Sequence, residues 1–340
     1  MARTRENARG KTRGFCRACP VCDGRACAGE IPGMGGAGTG ASFTRNLAAL
    51  AALRFRVRLV HEVRAPETSL EVMGFRLSMP LMVAPVGGLS FNLGGPMEEG
   101  AYQRAVAEGA RAAGITVGTP DAAAPGIFET GLAEAGAPLG GGMLPFVKPW
   151  ETGLVRERLG KAREAGCAAA AMDLDSVGLV TLRLMQRPCL PKGPRELAGI
   201  AAAARELGLR FVLKGLLTPE DALLAVEAGC DGIVVSNHGG RVLDSSPATA
   251  EALPAIAAAI KGKAAIFVDG GIRSGGDVLK MLALGADCVM VGRPFTVAAV
   301  GGGAEAVAEL AEEFRGGLET AMVMTGTASV RSVPPDILLG

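Results

Sequence analysis

Aromatic residues are scarce in this chain. They make up 4% of its 340 residues, with one tryptophan and one tyrosine. The core must therefore be built from Ala, Val, Leu and Gly, as in close-packed α/β proteins. Histidine is scarcer still: only His61 and His238 are present, so chemistry that needs an imidazole has two places to go. Neither sign of charge is in excess. The net charge is +1, which gives no electrostatic reason to expect nucleic acid or an anionic membrane surface as a partner. No apolar run is long enough to span a bilayer. The basic start, MARTRENARGKTRGF, is followed by no apolar signal core, so a cytoplasmic protein with a mobile first 15 residues is expected.

From residue 80 onward, short apolar runs alternate with Ala-rich segments of helical period. The runs are Leu81–Val86, Ile115–Thr119, Met143–Lys148, Ala169–Asp175, Phe211–Lys214, Gly232–Asn237, Ile266–Gly271 and Val289–Arg293. Helix starts such as Thr218-Pro219-Glu220-Asp221 fall between them. Eight strands with intervening helices predict a (β/α)8 TIM barrel, which needs about 250 residues. An open doubly wound sheet would carry GxGxxG after its first strand, and none is found there. Residues 1–41 form a basic, Cys-rich N-terminal extension, and 42–340 form the barrel. Ser42–Leu53 is expected to be a helix with Ser42 as its cap. Phe55–Val63 reads as a strand or extended arm, and its His61 as structural.

Function in a barrel sits at the C-terminal ends of the strands. Those ends read Ala84-Pro85-Val86, Gly118-Thr119, Phe146-Val147-Lys148, Asp173-Leu174-Asp175, Lys214, His238 with Arg241, Asp269-Gly270-Gly271 with Arg273, and Gly292-Arg293. His238 beside the fixed cation of Arg241 suits removal of a proton from an anionic substrate. Asp175 is placed to hydrogen-bond the second nitrogen of His238. A lysine at a buried strand end, Lys214, calls for an anion. The VDGGIRSGGDV and VGRP loops, late in the barrel and at helix N-termini, suit a phosphate.

The eight cysteines divide into two groups. Cys16, Cys19, Cys22 and Cys27 are spaced C-x2-C-x2-C-x4-C, close enough for four thiolates to hold one zinc or one iron–sulfur cluster. Free thiols on a flexible tail are the alternative. Cys167, Cys189, Cys230 and Cys288 are scattered and read as buried small hydrophobes.

The segments SNHGGRVLDSSPATAEALPAI, VDGGIRSGGDVLKMLALGADCVMVGRPF, VLKGLLTPEDA and ETSLEVMGFRLSMPLMVAPVGG resemble the FMN-dependent 2-hydroxy-acid oxidases and dehydrogenases, the glycolate oxidase, lactate oxidase and mandelate dehydrogenase group. The resemblance covers about residues 42–333 and implies the same barrel. It implies FMN as cofactor and oxidation of an L-2-hydroxy acid to a 2-oxo acid, with hydride passing to flavin N5. It implies His238 as the base, Asp175 as its partner, and Arg241 on the substrate carboxylate, with Arg183 as the nearest candidate for a second arginine. It implies Lys214 at the flavin N1–O2 edge and Asp269, Gly271, Arg273, Gly292 and Arg293 at the phosphate. It puts Ala84, Pro85, Val86 and Gly118 near the ring and implies a homo-oligomer. Departures fall on the substrate side. The stretch around 32–36 has no tyrosine, Phe146 stands where the family has a second one, Leu144 replaces a glutamine, and Leu184–Glu196 is a short lid segment. These departures keep open an isomerase of the type 2 isopentenyl diphosphate class and a flavin electron-transfer or sensor protein with metal on the cysteines.

Overall fold

A computed structural model describes residues 1–187 and 189–339. Pro188, within the expected lid segment, and Gly340, the last residue of the expected barrel domain, lie outside the described residues. Eight parallel strands close into one barrel in sequence order. They are β1 (Leu81–Val83), β2 (Thr116–Thr119), β3 (Leu144–Val147), β4 (Ala169–Asp173), β5 (Arg210–Leu216), β6 (Gly232–Val235), β7 (Ala265–Val268) and β8 (Cys288–Val291). β8 pairs back onto β1. Every expected run contains or overlaps its strand. Most runs overshoot at the C-terminal end, where polar residues that belong to the rim follow the apolar ones.

Alternation along the strands sorts the barrel interior into layers. Met82, Phe146, Ala171, Val212, Val234, Phe267 and Met290 belong to the apolar cluster inside. Two residues further along each strand come Ala84, Lys148, Asp173, Lys214, Ser236, Asp269 and Gly292. The barrel is thus oily below and charged at the mouth. A second apolar shell joins the outer strand faces to the helices. Thr218 and Ser274 cap two of those helices, accepting from the backbone N–H of Asp221 and Asp277 at 3.2 Å each.

Two local expectations are corrected. The helix over Ala41–Ala52 is capped by Gly40, because Ser42 is turned inward, donating to Leu243 O and accepting from Ser246. The first residues form a helix, Ala2–Lys11, packed against the long helical segment Arg293–Thr325. Ala8 is fully buried there, and Asn7 and Lys11 donate to the carbonyls of Gly301 and Val300. Gly301 permits this approach, since a side chain there would run into the backbone oxygen of Thr4. The arm over 54–63 begins with a two-residue pairing to Leu338–Leu339 and then runs exposed. His61 bonds Val323 O at 2.8 Å, a structural role. Among the described residues no helix is long and apolar enough to cross a membrane.

Candidate active site

One cavity opens at the C-terminal mouth of the barrel, and His238, Arg241, Lys214, Asp269, Arg273 and Arg293 line it together. β6 ends at Val235, and the chain then turns through three left-handed residues, His238 (φ 54°), Gly239 and Gly240. A side chain at Gly240 would sit 2.5 Å from the backbone nitrogen of Phe43, so glycine is required where this turn meets the helix over Ala41–Ala52. The turn brings His238 into the cavity lining. His238 Nδ1 lies 3.0 Å from Asp175 Oδ1, and Nε2 has no hydrogen-bond partner among the described residues. Donation from Nδ1–H to Asp175 leaves Nε2 as an acceptor.

Register builds the floor of the site. Asp173 on β4 pairs with Lys214 on β5. Phe146 on β3 pairs with Ala171, so two residues on Lys148 opposes Asp173 from the other side. Asp173 Oδ1 accepts from Lys214 at 2.8 Å, and Oδ2 accepts from Lys148 at 2.5 Å. Burial alone would raise the Asp173 pKa, but the two ammonium groups overcome it and hold the carboxyl well below its ordinary range. Burial likewise works against the charge on Lys214, and Asp173, Asp175 and Asp269 reverse that and push its pKa up. Asp269 is itself pushed up by burial, and its Oδ1 is buried without a partner.

The arginines are neutralised differently. Among the described residues Arg241, Arg273 and Arg293 form no ion pair with a carboxylate. Arg241 donates to Gly33 O and to Asn92 Oδ1. Arg293 donates to Met34 O at 2.8 Å and Gly239 O at 2.9 Å, and stacks 3.8 Å from the Phe43 ring centroid. Arg273 donates to Cys22 O. Burial pulls the pKa of Arg241 down to about 9 and that of Arg293 to about 10. Enclosed guanidiniums without acids are sites for anionic ligands.

A family described as FMN-dependent dehydrogenase matches residues 33–187 and 192–339. The chain belongs to that family. It is 34% identical over 369 residues to L-lactate dehydrogenase of Xanthomonas campestris pv. campestris (strain B100), covering 89% of this chain and 90% of that protein. It is 33% identical to L-lactate oxidase of Lacticaseibacillus rhamnosus (strain LMS2-1), covering 88% and 86%. The crystal structure of mandelate oxidase with benzoyl-formic acid superposes with a TM-score of 0.80 at 31% identity, covering 99% of this chain and 97% of that one. The isomerase and electron-transfer alternatives find no support among these relatives. The protein is an FMN-dependent oxidoreductase.

The residues present fit that cofactor. Arg273 and Arg293 stand ready for a phosphate beside Gly271 and Gly292, and the orphaned Asp269 Oδ1 awaits a donor. Ala84, Pro85 and Val86 line the same cavity with Phe146. Asp175 stands behind His238 and does not line the cavity.

Three expectations do not survive the geometry. Arg183 is exposed near the end of the short helix Val180–Leu184, and its neighbours Thr181 and Leu182 line the cavity in its place. Gly118 faces protein, because a side chain there would meet Phe146 and Pro85 at 2.9 Å. Cys16, Cys19, Cys22 and Cys27 are free and half-buried. Among the described residues no three of them come within ligating reach of one another; the one group of three potential ligand residues that does is Asp173, Asp175 and His238. The thiols are used singly in packing, Cys16 against the core and Cys22 against Arg273. The scattered cysteines are buried as expected. Sequence reasoning placed Lys148 and Asp173 at strand ends on the rim but gave neither a role in the site. Met34, in the 32–36 stretch, and Asn92, in the short helix Leu89–Leu93, also line the cavity, and neither was given a role.

Proposed function

We propose that this protein oxidises an L-2-hydroxy acid to the 2-oxo acid. The observation that carries the reading is one histidine, fixed through Nδ1 by Asp175 and open at Nε2, in a cavity whose arginines have no acid partners. His238 Nε2 takes the proton from the substrate hydroxyl. The Asp175 carboxylate stabilises the imidazolium that results. Arg241 holds the substrate carboxylate and so orients the α-carbon. Asn92 Oδ1 and Gly33 O each accept one N–H of the Arg241 guanidinium and fix it in place. Arg273 and Arg293, with Asp269, Gly271 and Gly292, would hold FMN by its phosphate, and Lys214 would neutralise negative charge on its ring. Bound FMN supplies the acceptor for the two electrons.

In this reading residues 1–41 are an extension whose far end closes on the mouth of the 42–340 barrel. The unbridged thiols support a reducing, cytoplasmic setting. The exposed apolar Val57, Leu59 and Val60 support assembly into a homo-oligomer. The test is anaerobic addition of L-2-hydroxy acids to the FMN-loaded protein. One or more should bleach the flavin spectrum. His238→Ala should retain FMN and lose bleaching by a factor of about 10²–10⁴; undiminished bleaching rules out this base.

A further inference from the structure

The Arg241 guanidinium already spends one Nη1 and one Nη2 proton on Gly33 O and Asn92 Oδ1. The two tyrosine hydroxyls expected on the substrate side are absent. The chain's only tyrosine, Tyr102, is buried against Thr296 Oγ1 at 3.0 Å. Arg183 is out in solvent. Arg241 keeps three N–H groups for a substrate carboxylate, and the cavity contains a second cation that can share it.

Lys148 lines the cavity and is 7% exposed. Its backbone N–H is fixed by Asp121 Oδ2 at 3.1 Å, and the same oxygen accepts from Trp150 Nε1 at 2.6 Å. The strand end carrying Lys148 is thus held from both sides. Of the three protons on its Nζ, one goes to Asp173 Oδ2, and the described residues provide no hydrogen-bond acceptor for the other two. Lys214 differs. Its Nζ faces Asp173 at 2.8 Å, His238 Nδ1 at 3.3 Å, Asp175 at 3.5 Å and Asp269 at 3.9 Å. Asp173 is one carboxylate serving two ammonium groups, so the Lys148–Asp173–Lys214 row has one positive charge in excess. The acids around Lys214 offset that excess on its side. On the Lys148 side the acid is Asp121, whose Oδ2 accepts from Lys148 N–H and Trp150 Nε1 and whose Oδ1 accepts from Ala122 N–H, and among the described residues it makes no hydrogen bond to the Lys148 ammonium; the nearby wall also carries the apolar Phe146, Leu179 and Leu182.

We propose that Lys148 is a second cationic contact for the hydroxy acid, donating to a carboxylate oxygen of the substrate in place of the missing tyrosines and second arginine. This rests on the hydroxy-acid reading above. Two carboxylates could supply that oxygen: the α-carboxylate shared with Arg241, or one at the far end of a dicarboxylic substrate. Both are the same chemistry to an ammonium group.

The experiment measures Kd of the FMN-loaded enzyme for non-oxidisable products, pyruvate and 2-oxoglutarate, by perturbation of the flavin spectrum. Lys148→Met should weaken binding roughly 10- to 100-fold, the range for a charge-assisted hydrogen bond. FMN affinity of the apoprotein should stay unchanged. Equal weakening of both ligands assigns the α-carboxylate; weakening of 2-oxoglutarate alone assigns the distal one. The double variant Lys148→Met/Asp173→Asn separates binding from architecture. If Lys148 served only to neutralise Asp173, removing both charges would restore wild-type affinity, and that result overturns the proposal. Unchanged affinity in Lys148→Met overturns it as well, while leaving the hydroxy-acid reading intact. Wild-type enzyme that binds neither ligand and is bleached by no hydroxy acid overturns that underlying reading.

Discussion

The lysines on the barrel floor and the arginines around its mouth bring positive charge into one cavity, but by opposite means. Lys148 and Lys214 are buried and share the carboxylate of Asp173 across three adjacent strands in register. Arg241 and Arg293 are held by backbone carbonyls, an amide oxygen and an aromatic face. A buried charge paired with an acid is part of the architecture, and removing its partner is costly. An enclosed charge held only by neutral dipoles is left for a ligand to neutralise. Asp173 therefore ties the two lysines into the fold as well as into the site, whereas the charge of the arginines is left for a ligand alone.

That division can be broken in order of effect. Asp173→Asn should be the most damaging change to stability, at about 3–5 kcal/mol, because two buried ammonium groups lose their shared anion. Denaturant unfolding of the variant measures it. A loss within about 1 kcal/mol would place the row outside the architecture. The pH dependence sharpens the same point. The Asp173 pKa is depressed in the folded state, so its contribution is full above the unfolded carboxyl value of about 3.9 and is lost as pH falls through the folded value. Stability of the wild type should drop on acidification below about pH 4, and Asp173→Asn should flatten that limb. Arg241→Met should differ from Asp173→Asn. It should cost less in unfolding free energy, about 1–3 kcal/mol, for the hydrogen bonds lost at Gly33 O and Asn92 Oδ1. It should weaken 2-oxo-acid binding by about 10- to 100-fold, read by flavin perturbation. The smallest effect should come from Phe43→Leu, which removes the aromatic face under Arg293 but keeps the hydrophobic volume. FMN affinity should fall by a factor of about 2–5, as for a cation–π contact of about 0.5–1 kcal/mol. No change in FMN titration would mean the carbonyls alone hold that guanidinium.

The late strands of the barrel were legible because their chemistry is local. Asn237, His238, Gly239, Gly240 and Arg241 lie within one turn, and Asp269 to Arg273 within one loop, so short-range spacing carries their placement. Lys148 and Asp173 lie on different strands, 25 residues apart. Each could be read as a strand end, but the ion pair depends on inter-strand register, which no single segment contains. Arg183 was misplaced because the second cation was sought by linear offset along a short helix. There, one residue of difference rotates a side chain by about 100°. The N-terminal helix was missed for a related reason. Its sequence is polar and basic, and its support is a glycine almost 300 residues away. The cysteine spacing was compatible with a ligand set, but spacing bounds how close thiols can come without bringing them together.

The packing of Ala2–Lys11 on the segment after Arg293 has a consequence for biosynthesis. The helix Ala2–Lys11 finds its partners, Val300 and Gly301, almost 300 residues further along the chain, so it is made well before them. Arg54 and Phe55 likewise wait for Leu338 and Leu339. During translation the barrel strands can associate in order while residues 1–40 remain undocked, and Gly33 and Met34 reach Arg241 and Arg293 only after those arginines have emerged. Closure of the mouth is therefore a late, long-range event in the maturation of the chain, with the slow kinetics that such contacts impose.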